Sequence, residues 1–133
     1  MVEQTPEEIH ERIVETVRQA ILRRLRAPIR KNYLYTPEKG VDLEIDMFVI
    51  LNNIFCIFEI KTGTKEAKAR KQLRMHQSCI TNLQNDLSSE GLFFSTVRTF
   101  LVSWKEDKVV NTITNKEIHV TEFLENQIPF LLQ

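Results

Sequence analysis

Residues 43–61 read LEIDMFVILNNIFCIFEIK, and this stretch decides the fold class that the sequence predicts. Two apolar runs, 43–51 and 54–60, flank the pair Asn52-Asn53. Asparagine tolerates the left-handed backbone region that two-residue hairpin loops require, so the pattern predicts a β-hairpin. In that register Leu51 lies opposite Ile54, and every residue towards the open end gains a defined partner.

The charged residues of this hairpin fall together at its open end. The register places Glu44 opposite Lys61 on one face. It places Asp46 opposite Glu59 on the same face, whereas the second face is wholly apolar. Opposed carboxylates repel because cross-strand Cβ atoms lie only about 4.5–5.5 Å apart. A divalent cation removes that repulsion, and carboxylate oxygens suit Mg²⁺ or Mn²⁺. The alternative is a solvated strand end with a tolerated acid pair, and Glu44 is expected to be a surface acid paired with Lys61.

The rest of the chain predicts helices and strands around the hairpin. Thr5 and Pro6 are typical of a helix start, and apolar residues recur at helical spacing as far as Pro28. A second helix is expected over 64–87, with Thr64 as its N-cap. The remaining expected segments are a strand at 31–35, a turn at 37–40, strands at 93–104 and 109–114, and a C-terminal helical stretch at 121–132 limited by Pro129. The order predicts an α/β fold with a central mixed sheet flanked by helices.

Size and composition indicate one globular domain over residues 1–133. The chain is 42% hydrophobic and 27% charged, which is ordinary for a soluble protein. The longest wholly apolar run has five residues, so no membrane span is expected. The N-terminus lacks the pattern of a signal peptide, and two cysteines are too few for a disulfide scaffold. We therefore expect an intracellular protein with no membrane partner.

The net charge is zero, but the positive charges are clustered. Residues 16–37 hold six bases and no acid, and residues 61–85 hold six bases and one acid. Such clustering is typical of a phosphate-binding surface, and a solvated helix face is the alternative. The candidate nucleic-acid-binding residues are Arg30, Lys31, Lys65, Lys68, Arg70, Lys71 and Arg74.

One known family shares the spacing of the acidic residues. The chain has Asp46, twelve intervening residues, and then Glu59-Ile60-Lys61-Thr62-Gly63. This pattern resembles the PD-(D/E)XK nuclease superfamily, in particular its RecB-like and small Holliday-junction-resolvase-like members. Those nucleases often carry a histidine on the first helix and a Gln-x-x-x-Tyr motif on the helix after the signature. This chain has His10 upstream, and residues 72–76 read QLRMH, so His76 replaces the tyrosine. The resemblance covers about residues 5–104 and leaves 105–133 as an appendage.

The resemblance implies a restriction-endonuclease-like αβββαβ core and a set of site residues. The implied catalytic residues are His10, Asp46, Glu59, Lys61 and Gln72. The implied ligands of Mg²⁺ or Mn²⁺ are His10, Asp46, Glu59 and the carbonyl group of Ile60. Lys61 would orient the attacking water and offset charge on the phosphate. Glu11 and Glu15 are the alternatives to His10, and the role of His76 stays open.

The expected activity is hydrolysis of phosphodiester bonds by a metal-dependent nuclease, acting on DNA as a homodimer or within a larger complex. An RNA endonuclease with an upstream histidine, similar to viral cap-snatching enzymes, is one alternative. The other is a catalytically silent module of the same fold that binds nucleic acid or a protein partner. Two departures from the family are plain. Ile45 stands where many members have proline, and the four cysteines of members with an iron–sulfur cluster are absent.

Overall fold

The computed structural model describes residues 3–63 and 65–133, so the predicted cap Thr64 lies outside the described residues. The helices are α1 (Pro6–Leu22), α2 (Glu66–Ser78), α3 (Ile80–Ser88), α4 (Val120–Glu125) and α5 (Ile128–Leu132). The strands are β1 (Ile29–Glu38), β2 (Val41–Leu51), β3 (Ile54–Lys61), β4 (Thr96–Ser103), β5 (Lys108–Asn111) and β6 (Glu117–Ile118). They form one sheet in chain order, with β3 and β4 parallel and the other neighbours antiparallel. The predicted α/β fold with a mixed sheet is confirmed.

Two apolar clusters cover the two faces of this sheet. On one face, α1, α4 and α5 pack against Met47, Val49 and Phe58. On the other face, α2 and α3 pack against Phe48 and Ile57. None of the helices in the described part of the chain has the length and apolar character needed to span a bilayer.

The first helix begins as predicted and ends earlier than predicted. The Thr5 hydroxyl accepts a hydrogen bond from the Glu8 N–H at 3.2 Å, which satisfies one of the free donors of the first turn. The helix ends at Leu22 and not near Pro28. The Arg24 N–H donates to the carbonyl of Ile21, three residues back, which tightens the last turn, and the chain then turns into β1.

The central hairpin has the predicted register. Leu51 pairs with Ile54, and the ladder continues to the pair Met47–Phe58. Asn52 and Asn53 have φ values of 51° and 64°, the left-handed conformation for which asparagine was expected at this loop.

At the open end of the hairpin the predicted facing is wrong. Regular alternation would put Ile45 on the same face as Met47, yet Ile45 packs with Phe48 on the other face. Strand β2 is therefore irregular at Asp46. Asn32 lies opposite Asp46 on β1 and has a φ of 56°. The Asp46 side chain accepts a hydrogen bond from the backbone N–H of Ile60 at 2.8 Å, so Asp46 and Glu59 are not a regular cross-strand pair.

The predicted second helix is broken into α2 and α3 at Cys79. Its N–H donates to the carbonyl of His76, three residues back, as in a tightened final turn. The Ser78 hydroxyl donates to the Met75 carbonyl at 2.7 Å, the group that the Cys79 N–H would use in a continuous helix. A side chain that competes for a backbone acceptor in this way favours a helix end.

The outer elements differ from the prediction at their boundaries. Strand β1 is longer than expected, so the turn reduces to residues 39–40, and β4 begins at Thr96 rather than at 93. Strand β5 ends at Asn111 because its side-chain oxygen accepts from the N–H groups of Ile113 and Thr114, which forms a turn. Sequence reasoning missed β6, and the C-terminal stretch forms the two short helices α4 and α5.

Candidate functional site

The first-helix histidine meets the irregular end of the hairpin. His10 lies one turn before the buried residues of α1, and its ring reaches β2 and β3. Its Nε2 atom is 2.8 Å from the carbonyl oxygen of Ile60 and 3.3 Å from Oδ2 of Asp46. Three predicted metal ligands therefore meet at one point, on the α1 side of the sheet.

The charges at this point stabilise one another. The hydrogen bond to Asp46 is the main cause that raises the pKa of His10, against the opposing effect of burial. Burial alone would raise the pKa of Asp46. The hydrogen bonds from His10, Glu59 and the Ile60 N–H outweigh burial, so the pKa of Asp46 is lowered. Asp46 is therefore ionised at neutral pH, and its negative charge favours a proton on His10.

Glu59 lies beside Asp46 and is almost completely buried, with 2% of its surface exposed. Burial raises its pKa, and the charge of Asp46 and a hydrogen bond to Asp46 raise it further. The protonated form of Glu59 therefore prevails at neutral pH. The expected repulsion between the two acids is relieved when Glu59 keeps its proton.

His76 is buried behind Glu59 and not at the surface. Its Nε2 atom lies 3.1 Å from Oε1 of Glu59, and its Nδ1 atom lies 2.6 Å from the hydroxyl oxygen of Tyr35. Sequence reasoning missed Tyr35. The only available signal was a tyrosine in a predicted strand, and nothing in its spacing related it to His76.

Gln72, one turn before His76, lines a cavity of about 150 Å³ together with Glu44 and His76. Its Oε1 atom is buried and has no hydrogen-bond partner among the described residues. A cavity of this size accepts a water molecule, and a buried carbonyl group needs such a donor.

An open groove of about 550 Å³ runs past His10 and contains Lys61. Glu44 and Glu11 also line it. In the described part of the chain Lys61 forms no ion pair, so the predicted Glu44–Lys61 pair is not formed. The positive charge of Lys61 is thus available to a ligand in the groove. Glu15, the second acid weighed as an alternative to His10, instead accepts hydrogen bonds from Lys31, Arg18 and Gln19.

The basic candidates divide into two groups. Three of them pair with acids from other parts of the chain or the same helix turn: Arg30 with Glu90, Lys31 with Glu15, and Arg70 with Glu66. The other four are exposed and form no ion pair among residues 3–63 and 65–133: Lys65, Lys68, Lys71 and Arg74. Lys68 also lines the groove beside Lys61. We name these four residues the α2 basic surface.

Two of the three donor atoms suit a hard divalent cation. Asp46 supplies a carboxylate oxygen and Ile60 a carbonyl oxygen, the ligands that Mg²⁺ and Mn²⁺ prefer, whereas His10 supplies an imidazole nitrogen, a ligand more typical of transition metals. Among the described residues no three His, Cys, Asp or Glu side chains are arranged as a metal site. The third donor is instead the backbone carbonyl of Ile60, and Glu59 stands next to Asp46 with its proton still bound.

No protein-family model matches the chain, and no curated protein matches its sequence.

The raised pKa of Glu59 predicts how stability depends on pH. In the unfolded chain Glu59 ionises near its ordinary pKa, whereas the folded protein keeps the proton. The free energy of unfolding should therefore fall as pH rises between about 5 and 8, by up to about 1.4 kcal/mol per pH unit. Glu59→Gln cannot ionise and keeps both hydrogen-bonding functions. Denaturant melts at several pH values should therefore show that its free energy of unfolding falls less steeply with pH.

Glu38→Gln is the matched control, because it removes a similar charge from an exposed position at the end of β1. We expect it to follow the wild-type slope. Parallel curves for the wild type and Glu59→Gln would contradict a bound proton on Glu59.

Proposed function

We propose that the protein is a metal-dependent nuclease with a PD-(D/E)XK core that hydrolyses phosphodiester bonds, with DNA as the expected substrate. One observation carries the proposal. His10 Nε2, Asp46 Oδ2 and the Ile60 carbonyl oxygen converge beside a groove that contains Lys61, which forms no ion pair with any described residue. The order α1, β1, β2, β3, α2, α3 and β4 supports it, since it is the αβββαβ order of that core with the second helix divided into α2 and α3.

The residues that would hold Mg²⁺ or Mn²⁺ are His10, Asp46, Glu59 and the carbonyl group of Ile60. A cation bound there would acidify a water molecule and polarise the phosphate group. His10 and Glu59 must first lose their protons, because only the neutral imidazole and the ionised carboxylate are ligands. Occupation of the site should therefore release protons and strengthen as pH rises.

Lys61 and the α2 basic surface would act on the nucleic acid. A fixed ammonium group beside the reacting phosphate stabilises the negative charge that grows there in the transition state. The α2 basic surface adds positive charges that attract the phosphate backbone without reading its sequence. These groups contact phosphates only, so they do not separate DNA from RNA.

A catalytically silent binding module is the second candidate. It is favoured by the lack of three metal-ligating side chains in one cluster among the described residues. In that case no cation displaces the ion pair of His10 with Asp46 or the proton on Glu59. The α2 basic surface alone then carries the function. The response to a divalent cation separates the two candidates.

Binding of Mn²⁺ should stabilise the folded protein, because the hairpin assembles the ligands only in the folded state. At a hundredfold excess over the dissociation constant the gain is about 2.7 kcal/mol, or roughly 10 °C in melting temperature. Asp46→Asn should lose most of this shift in thermal melts with and without Mn²⁺. Asp42→Asn, an exposed acid of the same strand, is the control and should shift like the wild type. No shift in the wild type at millimolar Mn²⁺ would favour the silent module.

Cleavage of DNA should need both a divalent cation and Lys61. The wild type should degrade DNA with Mg²⁺ or Mn²⁺, and EDTA should stop the reaction. Lys61→Ala should lower the rate about 10²–10³-fold, the loss typical for removal of a charge-stabilising group. Lys39→Ala, in the turn between β1 and β2, should cleave at the wild-type rate. Equal rates for Lys61→Ala and the wild type would refute the role of Lys61.

Binding of double-stranded DNA in EDTA should weaken steeply with salt, because each phosphate contact releases counterions. The double variant Lys68→Ala, Lys71→Ala should reduce the slope of log K against log salt by about two, as measured by fluorescence anisotropy. The matched double variant Arg30→Ala, Lys31→Ala removes bases that are already paired with acids, so we expect a smaller change. Equal changes of the salt slope in the two double variants would mean that the α2 basic surface faces solvent and contacts no phosphate.

A further inference from the structure

A chain of three buried polar side chains lies beneath the proposed site, on the side away from the groove. Tyr35, His76 and Glu59 are 4%, 2% and 2% exposed. The Tyr35 hydroxyl bonds to His76 Nδ1 at 2.6 Å, and His76 Nε2 bonds to Glu59 Oε1 at 3.1 Å. Three elements, β1, α2 and β3, contribute one residue each. Nothing in the proposed reaction has yet used Tyr35 or His76.

The direction of the two hydrogen bonds follows from the state in which Glu59 would bind a cation, because an ionised carboxylate can only accept. A neutral imidazole has one donor and one acceptor nitrogen. The contact of Nε2 with Oε1 of Glu59 places the ring proton on Nε2, so Nδ1 accepts from the Tyr35 O–H. His76 therefore donates to Oε1 of Glu59.

We propose that His76 is a positioning residue that fixes the Glu59 carboxyl group for the cation, and that Tyr35 selects the imidazole tautomer that does so. The inference rests on the proposed nuclease function. It assigns His76 to the interior rather than to the substrate, since its ring contacts Glu59 and Tyr35 and not the groove. One carboxyl oxygen is held by the N–H of His76, which fixes the rotation of the group relative to Asp46.

The physical need for such a partner is clear from the burial of Glu59. A buried carboxylate that binds a cation keeps further lone pairs that need donors, and an unsatisfied charge there is costly. His76 supplies one donor without adding a net charge. Partners that orient a metal ligand in this way typically change metal affinity 10–100-fold when they are removed.

The experiment compares two conservative variants of His76 in the full chain. In His76→Gln the side-chain NH₂ occupies the position of Nε2 and can still donate to Glu59. In His76→Asn the shorter side chain reaches only the position of Nδ1, near Tyr35. Both replace a buried imidazole with a smaller amide, so a merely structural role predicts similar losses of stability and no difference in cation affinity.

The readouts are the Mn²⁺ dissociation constant from calorimetry and the melting temperature without metal. We expect His76→Asn to bind Mn²⁺ about 10–100-fold more weakly than the wild type, and His76→Gln to recover most of the affinity. Tyr35→Phe keeps the aromatic ring but removes the hydroxyl group, so His76 can adopt either tautomer. The Mn²⁺ affinity of this variant should lie between those of the wild type and His76→Asn. It also serves as the second test if the His76 variants do not fold.

The outcomes separate this inference from the proposed function. If the wild type binds Mn²⁺ and all three variants bind it equally well, or if affinity only follows melting temperature, His76 is structural and the inference is wrong while the nuclease stands. If the wild type neither binds Mn²⁺ nor cleaves DNA, the proposed function is wrong, and the positioning role is wrong with it.

Discussion

The hydrogen bond from the Ile60 N–H to the Asp46 carboxylate is the interaction on which the candidate site depends. It replaces regular strand pairing at the open end of the hairpin and turns the Asp46 carboxylate towards α1, so the two acids are not a regular cross-strand pair. Asp46 then meets His10 of α1, and Glu59 meets His76 of α2. Each acid has its own histidine, and the sheet lies between the two histidines.

This arrangement explains why buried acids are tolerated without a metal. Asp46 keeps its charge because a histidine and a backbone N–H surround it, and Glu59 gives up its charge because burial makes ionisation costly. The negative charge of Asp46 favours a proton on His10, and Glu59 keeps its own proton. A cation that displaced these protons, as proposed, would find oxygen and nitrogen ligands already assembled.

Much of the fold could be predicted because it depends on local rules. Asn52-Asn53 determines the hairpin loop, and Thr5 with Pro6 determines the start of α1. The irregularity at Asp46 could not be predicted, because alternation assumes regular strands and Asn32 gives no signal by itself. The contact of Tyr35 with His76 joins residues 41 positions apart. The ion pairs of the basic segments could not be predicted for a similar reason, since the acids that pair with Arg30 and Lys31 come from distant parts of the chain.

The irregularity at Asn32 also affects how copies of the protein meet each other. Strand β1 is an outer strand of the sheet, and a long, flat outer strand invites pairing with a second molecule and aggregation. Here the left-handed Asn32 interrupts the strand, a register shift between Tyr35 and Glu38 interrupts it again, and Pro37 removes one donor. The backbone distortion that turns Asp46 towards His10 thus also protects the open edge of the sheet.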